Sequence, residues 1–137
     1  MQSVLVVDDE PNVRSLVRDV LELSGYLVRE ACSGSEALTA VESQRPDCVV
    51  MDVMMPGLSG IDVLAELRSR PVLGSLPVLL LSAADDDQTT WAGWRAGASC
   101  YLPKPFDPNT LTSWLQRLAA GDEQSPMQRP QKGNTDV

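Results

Sequence analysis

Short apolar runs alternate with amphipathic segments five times along this chain, and few folds accept that pattern. Ser3–Asp8, Leu27–Ala31, Asp47–Asp52, Pro77–Ser82 and Cys100–Leu102 read as strands, rich in Val, Leu and Met. The segments between them repeat apolar residues at helical spacing. In the first, Val13, Leu16, Val17, Val20 and Leu23 recur behind Pro11, and Gly25 ends the run. In the second, Ser33-Gly34-Ser35-Glu36 opens a helix with Ala37, Leu38 and Val41 inward, and Pro46 stops it. Gly60–Arg70 carries Ile61, Leu64 and Leu67 on one face, and Asp86–Ala96 closes at Gly97. Asp107 with Pro108 caps the last helix, whose Leu111, Leu115 and Leu118 turn to the core. Strand and helix in strict alternation predict a doubly wound α/β sandwich: a five-stranded parallel sheet flanked by five helices.

At 137 residues the chain is expected to form one domain over residues 1–120. Residues 121–137 carry few apolar side chains and are expected to be a disordered tail or linker. The net charge of −8 argues against a nucleic-acid-binding face, and no basic run offsets it. No apolar run approaches the length of a membrane span, and the first residues lack a signal-peptide pattern, so the expected location is the cytoplasm. Cys32, Cys48 and Cys100 are widely spaced, without a Cys-x-x-Cys, and the chain has no histidine. A zinc site is therefore not expected, and the three thiols are expected to be reduced and buried.

The strands of an open parallel sheet all end on one edge, and ligands bind there. Four clusters fall at such ends: Asp8-Asp9, Asp52, Ser82 and Lys104. Carboxylates crowded together repel one another, and a divalent cation relieves the repulsion. Asp8, Asp9 and Asp52 suit Mg²⁺, which takes a few carboxylates and keeps room for phosphate oxygens. Asp52 is the candidate nucleophile, because a carboxylate can form an acyl phosphate. Lys104 offers a point charge to the phosphoryl oxygens and Ser82 offers a hydroxyl. No Walker-type Gly-x-x-x-x-Gly-Lys occurs. An aspartate-nucleophile phosphatase would need an acid two residues beyond its nucleophile, and Asp52 is followed by Val53-Met54.

These residues carry a resemblance. Val6-Val7-Asp8-Asp9-Glu10, Asp52-x-x-Met55-Pro56-Gly57-x-x-Gly60, Ser82-Ala83 and Ala96-Gly97-Ala98-x-x-Tyr101-Leu102-x-Lys104-Pro105-Phe106 resemble the receiver domains of two-component response regulators. The likeness spans roughly residues 3–119, with no departure at the essential positions, and it implies the flavodoxin/CheY-like (βα)5 fold. It implies that Asp52 is the phosphoacceptor, served by a sensor histidine kinase or a histidine phosphotransfer protein. Mg²⁺, with Mn²⁺ as the alternative, is then held by Asp9, Asp52 and the Met54 carbonyl, with Asp8 acting mainly through water. Lys104 contacts the phosphate, and Ser82 with Tyr101 forms a switch pair. The resemblance also implies a protein that catalyses only its own phosphorylation and dephosphorylation.

The output surface is expected on the fourth helix, fifth strand and fifth helix. The three Trp residues all lie in the fourth and fifth helices, against one Phe in the whole chain. Trp94 and Trp114 are expected to flank Tyr101 as a patch for a downstream protein or a second copy of the chain. Asp85-Asp86-Asp87 reads as a solvated helix start. Met54 and Ala84 beside the pocket offer no polar group to orient water, so slow self-hydrolysis of a phosphoryl group is expected.

Overall fold

In the computed structural model, residues 2–82, 95, 97–104 and 106–119 are described. The elements are β1 (Ser3–Val7), α1 (Pro11–Leu23), β2 (Leu27–Ala31), α2 (Gly34–Ser43), β3 (Cys48–Asp52), α3 (Gly60–Arg68), β4 (Val78–Ser82), β5 (Cys100–Pro103) and the last helix, α4 (Pro108–Ala119). The expected helix at Asp86–Ala96, with Trp91 and Trp94, lies outside the described residues except for Arg95, as do Ala83, Ala84, the Asp85-Asp86-Asp87 loop, Pro105 and the tail.

The five strands pair in parallel in the order β2-β1-β3-β4-β5. Strand side chains alternate between two faces. Leu5, Val7, Val49, Met51 and Leu80 pack with Ala37, Val41, Val63, Leu64 and Leu67 of α2 and α3. Val4, Val6, Val50, Leu79, Leu81 and Leu102 pack on the other side with Val17, Leu21, Leu111, Leu115 and Leu118 of α1 and α4. The sheet is thus covered on both faces, which is why β3 and β4 read as uninterrupted apolar runs.

The helix starts follow local chemistry. Ser33 Oγ accepts the Glu36 N–H at 3.1 Å, and Glu36 Oε1 takes the Cys32 N–H at 2.8 Å. Ser59 and Asp62 form a reciprocal capping box at the start of α3. Asp107 Oδ1 accepts the Asn109 N–H at 2.8 Å before α4.

Two expectations are corrected. Leu16 and Leu23 do not face the core: they are 54% and 89% exposed, and Val17 and Leu21 are the buried pair of α1. Val17 and Leu21 are four residues apart, one above the other, so Leu23, two further on, falls on the opposite side. Cys32 is exposed, while Cys48 and Cys100 are buried. Cys32 lies just past the end of β2, outside both packed layers.

Candidate functional site

The connection from β1 runs outward to β2, and the chain then crosses back to β3 on the other side of β1. This reversal opens a crevice between the carboxyl ends of β1 and β3. Asp8 and Asp9 follow β1, and Asp52 ends β3, so the two adjacent strands deliver all three carboxylates to one place. One oxygen from each lies within 4.8 Å of the others. Asp8 and Asp52 are buried, and Asp9 is exposed at the mouth.

Lys104, just beyond β5, reaches across to the same pocket. Its Nζ is 3.1 Å from Asp52 Oδ1 and 3.4 Å from Asp8 Oδ2. Its backbone N–H donates to the Ser82 carbonyl at 2.7 Å, which ties the lysine to the end of β4. Ser82 is wholly buried at that strand end. Asp8 is oriented by its own loop: Oδ1 accepts the Glu10 N–H at 2.9 Å.

Burial raises the Asp52 carboxyl above its ordinary range; Lys104 opposes that rise, and Asp8 adds to it. Desolvation therefore outranks the mutual repulsion of carboxylates that the sequence suggested. The Met54 backbone amide also favours the ionised Asp52 carboxylate, while the Met54 side chain is 65% exposed. Two buried acids and one exposed acid, with Lys104 balancing their charge, form a donor set of hard oxygens. Such a set fits Mg²⁺, which is held by a small number of carboxylates.

A close approach fixes the strand end. A Cβ on Gly60 would fall on the Asp52 carbonyl oxygen and stand 3.0 Å from Val53 Cα. Gly60 donates its N–H to the Val53 carbonyl at 2.9 Å instead. The start of α3 thereby packs directly against the backbone that carries Asp52.

Of the three residues expected to form a partner surface, Tyr101 is not at the surface. Tyr101 is wholly buried among residues such as Leu80 and Ala98, because its position on β5 turns it to the α2–α3 face. In this conformation it presents no ring to a partner. Trp114 is half-buried against the α1–α4 core, and Arg117 lies over its ring at 4.6 Å. Trp94 is outside the described residues.

Sequence reasoning missed Arg14. Its Nη1 donates to the Asp8 carbonyl at 2.8 Å, and its Nε to Glu30 Oε1 at 2.9 Å. The signal was present as Arg14, Arg18 and Glu22 at four-residue spacing on α1, beside a β2 strand that is more polar than its neighbours.

The chain matches the family model of the response regulator receiver domain over residues 4–116. It is 46% identical over 115 residues to the response regulator MprA of Mycolicibacterium vanbaalenii, covering 84% of this chain and 49% of that protein. The chain thus spans about half the length of the curated relatives it matches. Among solved structures, a response regulator described as putative from Chloroflexus aurantiacus superposes with a TM-score of 0.84 at 38% identity, covering 87% of this chain and 98% of that one. The chemotaxis response regulator CheY4 of Vibrio cholerae does so with a TM-score of 0.81 at 35% identity, covering 86% and 98%. The alternating elements, the sheet order and the acidic crevice agree with these matches, and the chain belongs to the response regulator receiver domain family of two-component signalling.

Proposed function

We propose that this domain is a phosphorylation-controlled switch in which Asp52 accepts a phosphoryl group from a phosphohistidine on a sensor histidine kinase or a histidine phosphotransfer protein. The observation that carries this reading is the meeting of Asp8, Asp9, Asp52 and Lys104 at one crevice. In the transfer, an Asp52 carboxylate oxygen bonds to phosphorus as the bond to the donor imidazole nitrogen breaks. Asp8, Asp9, Asp52 and the Met54 carbonyl are the groups that would hold Mg²⁺, with Asp8 acting through water. When bound, the ion supplies positive charge to the phosphoryl oxygens. Lys104 supplies a further charge from the opposite wall, pre-positioned by its bond to the end of β4. Burial around Asp52 excludes water and strengthens these interactions.

The phosphoryl group adds about −1.5 to −2 charges and new acceptor oxygens at the end of β3. Ser82 meets those oxygens with its hydroxyl, a contact that exists only in the phosphorylated state. That difference biases the connection after β4, and Tyr101 on the neighbouring strand follows. The output then goes to a downstream protein, to a second copy of the chain or onward by phosphorelay, through the fourth-helix, β5 and α4 surface. The domain catalyses only its own phosphorylation and dephosphorylation. Met54 brings an apolar side chain to the pocket, so the phosphoryl group is expected to outlast seconds. Among the described residues no helix is long and apolar enough to cross a membrane.

The test is incubation with a small acyl-phosphate donor, with and without Mg²⁺, followed by intact mass. A Mg²⁺-dependent gain of one phosphoryl group in the wild type, absent in Asp52→Asn, supports the reading. No gain in folded wild type overturns it.

A further inference from the structure

We propose that Arg14 is the positioning residue that sets the Asp8–Asp9 pair for a divalent cation, held in place by Glu30. The inference rests on the cation site of the proposed function and names a group that regulates it. Two of the three carboxylates hang on either side of one peptide unit, the Asp8–Asp9 link. Rotation of that peptide would swing Asp9 relative to Asp8. The pairing of β1 with β3 runs only to Val7 opposite Met51, so the Asp8 carbonyl lies past that ladder. The Asp8 N–H donates to the Ala31 carbonyl at 3.2 Å on the β2 side. Arg14 Nη1 donates to the Asp8 carbonyl at 2.8 Å and fixes the plane of the peptide.

Arg14 is itself fixed. Its Nε donates to Glu30 Oε1 at 2.9 Å, and Glu30 Oε2 takes Arg18 Nη1 at 2.7 Å. A planar guanidinium held at two edges cannot turn without breaking a bond, which a lysine ammonium in its place could not reproduce. Burial raises the Glu30 carboxyl, but the hydrogen bonds from Arg14 and Arg18 outweigh it and leave the group below its usual range. Glu30 therefore stays ionised beside Arg14 and offsets a charge that would otherwise repel the cation. What remains of Arg14 at the site is geometry. Partly exposed ion pairs such as Arg14–Glu30 contribute little to stability, so a role as a mere helix-to-sheet brace is a weak reason for the arrangement.

The experiment titrates Mn²⁺ into the full 137-residue chain and reads free Mn²⁺ by its paramagnetic resonance signal. Wild type, Arg14→Met, Arg14→Lys and Glu30→Gln are compared, with the Tm of each recorded without metal. Arg14→Met is expected to bind Mn²⁺ about tenfold more weakly, the size seen when groups that orient metal ligands are removed. Arg14→Lys is expected to recover part of that loss, since one ammonium reaches one of the two acceptors. Glu30→Gln is expected to weaken binding less, with a deficit that shrinks in high salt; it also serves if Arg14→Met does not fold. Wild-type affinity in Arg14→Met, with or without a lower Tm, overturns the inference and leaves a structural brace. Absence of Mn²⁺ uptake by the wild type overturns the cation site itself, and this inference with it.

Discussion

Lys104 Nζ stands 3.1 Å from Asp52 Oδ1, so a cation in contact with the buried nucleophile comes from the strand end two places away in the sheet. The pair is asymmetric in burial. Asp52 is 6% exposed, and the Lys104 side chain keeps 20% of its surface in water. The lysine can therefore follow an incoming group while the carboxylate stays fixed at the end of β3.

Removing that cation leaves two buried carboxylates unbalanced. Lys104 holds the Asp52 carboxyl down against burial, so without it the carboxyl titrates higher and its ionised form costs more. Lys104→Met is expected to lose roughly 1–3 kcal/mol at neutral pH in metal-free buffer. The loss should shrink in acid, where Asp52 takes up a proton. Calorimetry across pH checks this, and phosphoryl uptake should fall on the order of 100-fold. A loss of stability that is independent of pH would show that the ammonium does not act through Asp52.

Asp52 titrates above its unfolded value in the fold. Ionisation is therefore disfavoured in the folded state. The penalty appears as pH rises through the unfolded value toward the folded one, and is fully present above the latter. Asp52→Asn should have a higher Tm than wild type at neutral pH without metal, and the gap should close in acid. Saturating Mg²⁺ should narrow or reverse the order, because a ligand bound only to the folded wild type stabilises it by mass action; a tenfold excess over the dissociation constant gives about 1.4 kcal/mol. A thermal-shift series over pH, with and without Mg²⁺, reads both effects.

The strand ends were legible because apolar runs stop where the acids begin, and the Asp8-Asp9, Asp52, Ser82 and Lys104 clusters could be placed on one edge before any coordinates. Ser33 and Asp107 announce their helix starts through short-range bonds that sequence spacing encodes, while the Ser59–Asp62 capping box at the start of α3 emerges only from the structure. Which side of α1 packs was not legible: Leu16, Leu21 and Leu23 are alike in type, and only the rotation fixed by the sheet separates the buried one from the exposed two. The inward position of Tyr101 depends on its register opposite Leu80, a long-range pairing. The Arg14 bond to the Asp8 carbonyl is a side-chain-to-backbone contact, and sequence does not mark which carbonyl an arginine will reach.

Gly60 and Gly57 separate two meanings of glycine near the pocket. A methyl group on Gly60 would strike the Asp52 carbonyl, so Gly60→Ala must displace either the start of α3 or the end of β3. Gly57 has φ +76° with open space around it. Gly57→Ala is therefore expected to cost about 1 kcal/mol of backbone strain and leave phosphoryl uptake intact. Gly60→Ala is expected to cost roughly 1–3 kcal/mol and to slow uptake by moving the nucleophile. Chemical denaturation paired with the acyl-phosphate assay checks the contrast; equal uptake in the two variants would mean that the contact does not position Asp52.

The thiols give a direct reading of the sandwich. Cys48 and Cys100 point into the layer covered by α1 and α4, and burial, with Cys100 nearby, pushes the Cys48 thiol up to about 12. A thiol reagent reacts with the thiolate, so both buried cysteines must wait for the sheet to open. Cys32 is exposed beside Glu36, outside the core. In the native protein one thiol is expected to react quickly with a chromogenic disulfide at mildly alkaline pH, and all three after denaturation. The slow pair reports opening of the α1–α4 face. Mg²⁺ should slow that pair further if the ion stabilises the closed fold, while leaving the Cys32 rate unchanged. Two fast thiols in folded protein would contradict the packing of this face.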